Sequence, residues 1–419
     1  MAYSEVMLTM VSEKNNNKFY RMIPSADGNS FVAEYGRIGC TTPQRRTYPI
    51  WQYQGKYDEK INKGYRDVTR LMGSVPADRT SASDAVSTGT DAQKLIAMLM
   101  DYADIAYRNT YSVDLKNVTE EMLREAESLV NVLRVMDTKR PSFSVADFNE
   151  KLCTLYGVIP RVMKDTRTMM ASSQKDFAAI VTREREYLDN LKGLRKVYAD
   201  VPVKTDKSAD SADVRAEALA KIDSVIKKYG LEIQPCTDKD IDIILKQMGG
   251  SGRKFSRAWK IVNANTGKAF ESYVKKKKIT SDGRKLLWHG SRNCNWLNIL
   301  SLGLLLNPKA QITGKMFGRG IYFAPSYDKS EGYTSLNGSR WANGNETKGY
   351  LALMDVAVGK HWDVYDYSGE AGCMDAKAIA KKGYDSLWAH SGRGMLRADE
   401  IVVYDEAAID IRYLVEVSL

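Results

Sequence analysis

Four short runs in the second half of the chain hold residue types that act on small molecules. They are Leu286-Leu-Trp-His-Gly-Ser291, Gly318-Arg-Gly-Ile-Tyr-Phe-Ala324, Lys329-Ser-Glu-Gly-Tyr333 and Ala398-Asp-Glu-Ile-Val-Val-Tyr404. An apolar run ending in His-Gly-Ser reads as a buried strand whose last residues open into a cleft, with Gly290 allowing a ligand close to the backbone. Tyr322 and Tyr333 offer ring faces, and Ser330 a hydroxyl. Taken singly, each residue has a bland reading: His289 a satisfied core histidine, the tyrosines core aromatics, Glu400 a solvated strand end. The residues alone do not say which of the domain's many carboxylates acts. The run Gly314-Lys-Met-Phe-Gly-Arg-Gly320 lacks Walker spacing and a Lys followed by Ser or Thr, so it is not a phosphate loop.

The order and spacing of the four runs resemble the catalytic domain of the poly(ADP-ribose) polymerases. The resemblance implies that NAD+ is the substrate and that no metal is used. It assigns His289, Tyr322 and Glu400 as the catalytic triad, and His289, Gly290, Ser291, Tyr322, Ser330 and Tyr333 as the NAD-binding set. In that scheme Gly290 and Ser330 hold the nicotinamide carboxamide, Tyr333 stacks on the ring and Tyr322 forms the opposite wall. His289 holds a ribose hydroxyl with Ser291 on the adenosine side, and Glu400 stabilises the oxocarbenium-like centre and polarises the acceptor. Asp399, adjacent, points to the opposite strand face. Leu305, Lys315 and Ala398 depart from the family pattern around the adenosine and acceptor sides, where Arg319 and Met316 are further candidates.

These residues must be positioned by a multidomain α+β chain. Residues 1–75 alternate apolar and polar positions between turns, the pattern of a small antiparallel sheet. Glu34-Tyr-Gly-Arg-Ile-Gly39 resembles the signature of a WGR domain, with Tyr35 in place of the Trp; the resemblance implies DNA binding through Arg37, Arg45, Arg46, Trp51 and Lys63. The alternative is that Trp51 and Tyr48 are core residues and the cations only solvate the sheet. Residues 76–90, rich in Ser, Thr, Ala and Asp, read as a linker. Residues 91–202 carry apolar residues at helical spacing, a capping box at Ser144-Val-Ala-Asp147 and a further helix over 173–197, which makes an all-α bundle resembling the helical regulatory domain of the family. A polar stretch at 205–213 and a helix over 214–229 lead into a mostly antiparallel β domain over 210–419, the expected ADP-ribosyltransferase fold. The four lysines 275–278 read as a solvated strand end or turn.

A net charge of +10 suits a polyanionic partner such as nucleic acid. The chain shows no membrane-length apolar stretch and no signal-peptide pattern. Its five cysteines are scattered and odd in number, the mark of reduced thiols rather than a disulfide frame or zinc site. The expectation is an intracellular enzyme, nuclear in a eukaryote and cytoplasmic in a bacterium. It would be a DNA-break-activated poly-ADP-ribosyltransferase acting on protein acceptors and itself, in DNA repair. The alternatives are a mono-ADP-ribosyltransferase and a DNA-end-binding scaffold with an inactive transferase domain.

Overall fold

The structure, a computed structural model, describes residues 3–38, 40, 42–69, 82–86, 89–198, 211–306, 316–392 and 396–419. Internal packing divides the chain into two compact units, residues 1–79 with 105–195, and residues 80–104 with 196–419.

The first unit opens with strands β1 (Val6–Ser12), β2 (Asn16–Pro24), β3 (Ser30–Arg37), β4 (Gln44–Pro49) and β5 (Arg66–Asp67), with helix α1 (Tyr53–Asn62) before β5. The sheet order is β4-β3-β2-β1-β5, all antiparallel, as the alternating pattern predicts. One face buries Leu8, Tyr20, Met22, Phe31, Ala33 and Tyr53. The same unit holds helices α4 (Glu120–Thr138), α5 (Val145–Val158) and most of α6 (Phe177–Tyr198). Helix α5 starts where Ser144 and Asp147 cap each other reciprocally, as the sequence pattern requires. The predicted helix over 173–197 begins with a short 3-10 turn at Gln174–Asp176. A feature no local pattern announced is the ion pair of Arg161 and Glu184 at 2.8 Å, with both side chains almost wholly buried among Tyr111, Tyr156 and Arg183.

In the second unit, α2 (Ala82–Ala85) falls inside the stretch read as a linker. Asp101 accepts from the Ala82 and Ser83 amides, so that helix is held by a carboxylate at its start. Asp101 lies on α3 (Asp91–Thr110), whose residues 91–104 belong to this unit. Helix α7 (Ser211–Tyr229) follows; residues 70–81, 199–210 and 307–315 lie outside the described residues, and with them parts of both predicted linkers, Gly314 and Lys315.

The sheet β6 (Leu231–Pro235), β7 (Phe255–Asn263), β14 (Ile409–Ser418), β10 (Lys348–Ala357), β8 (Arg284–Ser291) runs in that order, antiparallel throughout. Strand β10 is flanked by β14 and β8 and buried on both faces, which accounts for the apolar run from Gly349 to Met354. A second sheet is ordered β11 (His361–Val364), β12 (Ser386–Ala389), β13 (Glu400–Val403), β9 (Ile321–Phe323). The two sheets meet where Trp288 and Ala324 exchange amide–carbonyl bonds of 2.9 and 3.0 Å. Helices α8 (Asp238–Met248), α9 (Ala264–Lys277), α10 (Trp296–Leu302), α11 (Tyr327–Glu331), α12 (Gly369–Gly372) and α13 (Ala376–Lys381) complete the unit.

The lysine run corrects one expectation. Lys275–Lys277 form the last turn of α9 and Lys278 follows at φ 56°, so the run closes a helix rather than a strand. Phe270 and Tyr273 face the core one turn earlier, and cations at a helix C-terminus complement its dipole.

Candidate active site

The junction of the two sheets builds the site. Because the Trp288 amide and carbonyl are bonded across to Ala324, Gly290, two residues further along β8, turns its own N–H and C=O to the same edge beyond that bridge. His289, between them, points the other way from its strand neighbours and donates from Nδ1 to the Tyr322 carbonyl at 3.1 Å. This donation fixes the tautomer: in the neutral ring Nε2 is left as the acceptor. In β9, Tyr322 stands opposite Val402 of β13, and Phe323 opposite Ile401. Continuing that register brings Glu400 level with Ala324, beside the β8 edge.

A cleft of about 350 Å³ results, within the range of small-molecule sites. Its lining includes the polar groups and tyrosines His289, Gly290, Tyr322, Lys329, Ser330, Tyr333 and Glu400. The remainder is apolar and includes Leu304, Leu305 and Phe323. Each aromatic has a distinct attachment. The Tyr322 hydroxyl donates to the Gly318 carbonyl and accepts from the Phe317 amide, both at 2.9 Å, which ties the ring to the preceding loop. Burial, with the charge of Glu400 added, raises the Tyr322 phenol well above its usual value, so it stays protonated. Tyr333 is 43% exposed, and its ring lies 6.2 Å from that of Trp341, nearly parallel.

Helix α11 brings two lining residues at once, Lys329 and Ser330, and Tyr333 follows just after it. Ser330 is buried and donates to the Trp288 carbonyl at 3.1 Å, so toward any ligand its hydroxyl can only accept. Lys329 lies 2.8 Å from Glu400 Oε1 and donates to the Ala398 carbonyl, also at 2.8 Å. The sequence reading passed over Lys329, although it opens the Lys-Ser-Glu-Gly-Tyr run, because spacing did not reveal that it meets the carboxylate. The glycine at 290 has a packing reason of its own. A Cβ there would sit 1.9 Å from the Ser330 carbonyl oxygen, so the position first of all lets α11 pack against β8.

Not every expected residue joins the cleft. The Ser291 hydroxyl accepts from Asn295 at 2.8 Å and is absent from the described lining, as are Met316 and Arg319. Among the described residues, no group of three or more His, Cys, Asp or Glu side chains is placed to hold a metal ion, and no helix is long and apolar enough to cross a membrane.

The proposed DNA-facing residues sit on the first unit. Trp51 is 74% exposed, which excludes its core reading, whereas Tyr48 stacks on buried Phe31. Arg46 lies over the Tyr48 ring. Arg45 pairs with Glu34 at 2.6 Å, and Lys63 with Glu59 at 2.6 Å. Arg37 donates to the Asn15 carbonyl and side-chain oxygens, an internal brace rather than an open cation. Tyr35, in the place of the signature Trp, stacks on Tyr20.

A carboxylate, an imidazole and a tyrosine grouped at the join of an antiparallel and a mixed sheet define an ADP-ribosyltransferase catalytic domain. Residues 239–419 match the model of the poly(ADP-ribose) polymerase catalytic domain, and residues 4–71 that of the WGR domain. Among curated proteins, the chain is 25% identical over 484 residues to poly [ADP-ribose] polymerase 2-A of Oryza sativa subsp. japonica, covering 96% of this chain and 68% of that protein. It is 33% identical over 185 residues to poly [ADP-ribose] polymerase 2 of Arabidopsis thaliana, covering 39% of this chain and 27% of the relative. It is also 35% identical over 160 residues to poly [ADP-ribose] polymerase 2 of Homo sapiens, covering 32% and 26% respectively. The chain thus carries a poly(ADP-ribose) polymerase catalytic domain over residues 239–419 and a WGR domain over residues 4–71.

Proposed function

We propose that the chain is a DNA-break-activated poly(ADP-ribose) polymerase that cleaves NAD+, releases nicotinamide and transfers ADP-ribose to proteins, itself included. The observation that carries this reading is the convergence of His289, Tyr322 and Glu400 on one cleft, with Lys329 on the carboxylate. In NAD+ the nicotinamide is a cationic leaving group. As its bond to ribose C1′ breaks, the electron pair neutralises the ring and positive charge develops at C1′. Glu400, the one carboxylate among the described lining residues, stabilises that charge. The acceptor oxygen then bonds to C1′, and its proton passes toward the same carboxylate.

Binding follows from the local chemistry. Ser330, restricted to accepting, suits the carboxamide N–H2 group, and the Gly290 backbone edge offers both a donor and an acceptor beside it. Tyr333 and Tyr322 wall the ring, and His289 Nε2 accepts from a ribose hydroxyl. The three modules, residues 1–75, 91–202 and 210–419, would act in series, with DNA ends gripped by the first through Trp51 and its neighbouring cations. Action on DNA ends implies a nuclear site in a nucleated cell.

The test is incubation of purified protein with labelled NAD+, with and without a 5′-phosphorylated nicked duplex, beside Glu400→Gln. A DNA-dependent ladder that collapses in the variant supports the reading. A single-unit adduct in the wild type overturns polymer formation, and absence of any label overturns the transferase.

A further inference from the structure

Glu400 stands on the last rung of the β12–β13 ladder, opposite Ala389. A terminal rung is where a strand frays, so the placement of this carboxylate depends on what holds the residues just before it. Lys329 holds the Ala398 carbonyl. Asp399, on the opposite face from Glu400, is gripped by a separate set of groups. Its Oδ1 accepts from the amide and the hydroxyl of Ser391, both at 2.8 Å. Its Oδ2 accepts from the Trp388 indole at 2.9 Å and lies 3.5 Å from His390 Nδ1. The other nitrogen of that ring, His390 Nε2, is 2.6 Å from Asp363 Oδ1 on β11. The imidazole is stacked between Tyr365, at 4.6 Å and 15°, and Trp388, at 5.8 Å and 13°. His361 Nε2 lies 3.4 Å from the same Asp363 oxygen. The groups facing His390 are therefore Asp363 and, behind it, His361 from β11, Tyr365 just after β11, Trp388 from β12, and Asp399.

We propose that Asp399 and His390 are positioning residues for Glu400, joined with Asp363 into a side-chain tie across the end of the second sheet. The inference rests on the reading of Glu400 as the catalytic carboxylate. A carboxylate faces each nitrogen of the His390 ring, Asp363 at 2.6 Å and Asp399 at 3.5 Å, so the ring spans the gap between β11 and the residue that precedes β13. Without that ring the start of β13 loses a strand-to-strand support. Misplacing a catalytic group by about 1 Å can cost on the order of a hundredfold in rate.

The full chain is assayed with labelled NAD+ and nicked duplex as wild type, Asp399→Asn, His390→Gln and Glu400→Gln, with kcat and KM for NAD+ measured across pH. Near-ultraviolet circular dichroism and Tm establish that each variant folds. Asp399→Asn, which presents an amide N–H2 or loses an acceptor toward the two donors at Oδ2, and His390→Gln should each lower kcat about tenfold while KM for NAD+ stays within about twofold. Unchanged kcat in both variants, or a parallel change of kcat and KM, would overturn the proposal. If Glu400→Gln elongates as the wild type does, the underlying reading of the site falls instead, which is a different outcome from an active wild type with indifferent Asp399 and His390.

Discussion

Lys329 answers a question that a lone carboxylate in a half-apolar cleft raises: what keeps Glu400 in one rotamer. Its ammonium meets Oε1 at 2.8 Å and the Ala398 carbonyl at the same distance, so side chain and backbone of the strand start are held from one point. Charge-assisted bonds of this kind are about twice as strong as neutral ones. Lys329→Met should reduce kcat by about 10- to 100-fold, the range for losing a group that orients or supports an acid–base residue, and KM for NAD+ should change less. Steady-state kinetics of nicotinamide release check this. The carboxylate itself was legible in the sequence only through a family pattern, because the domain has many acidic residues and no spacing rule selects one. Lys329 was legible only once α11 had been placed beside β13.

At the scale of elements, two packing contacts set the geometry. Gly290→Ala puts a methyl where the Ser330 carbonyl oxygen now sits, 1.9 Å from an ideal Cβ, so α11 must move and carry Lys329, Ser330 and Tyr333 with it. Overpacking of this kind costs about 1–3 kcal/mol. The variant should show a lowered Tm and loss of transfer together, read by calorimetry and the labelled-NAD+ assay. In the first unit, Glu184→Gln leaves Arg161 charged and buried, and breaking such a pair costs roughly 3–5 kcal/mol. Replacing both partners by apolar residues of similar volume should restore much of that loss in urea unfolding.

Asp240 supplies a pH test for the second unit. Hydrogen bonds from Thr237, then from Tyr413, lower its carboxyl from the usual 3.8 to about 2, outweighing burial. A carboxyl whose folded value is depressed stabilises the fold at pH values above its unfolded value, and that stability is lost as pH falls toward the folded value. Asp240→Asn should therefore lower Tm at neutral pH and flatten the acid limb of Tm between about pH 4 and pH 2. The sequence shows Thr237 and Asp240 at capping-box spacing, yet the Tyr413 partner comes from β14, far along the chain.

For the whole molecule, the net charge of +10 sets an expectation about DNA that separates its two physical sources. Stacking of an exposed ring on a terminal base contributes about 1–3 kcal/mol and depends little on salt, whereas each phosphate contact adds roughly 0.9 to the log–log salt slope. Trp51→Ala should weaken binding to nicked duplex at every ionic strength with the slope unchanged. Arg46→Ala should reduce the slope by about one unit. Arg37→Ala should act through folding, since its guanidinium is spent on Asn15. Fluorescence anisotropy across a salt series distinguishes the three.

The sequence by itself determined what local rules govern: the alternating strands of residues 6–49, the capped start of α5 at Ser144, the buried run of β10, and the four runs that carry the cleft. Periodicity and capping depend on neighbours within a few residues, so they are written where they act. The fate of the lysine run was not legible, because Phe270 and Tyr273 reveal a helical face only against the core they pack on. Only the tertiary structure decided which side chains meet: Lys329 with Glu400, Arg161 with Glu184, Asp399 with His390, and the Ser330 carbonyl with the space left at Gly290. Those contacts join residues that the chain order separates. The meeting of Lys329 with Glu400 depends on the Trp288–Ala324 bridge that closes one sheet against the other, a long-range pairing that no single stretch of sequence encodes.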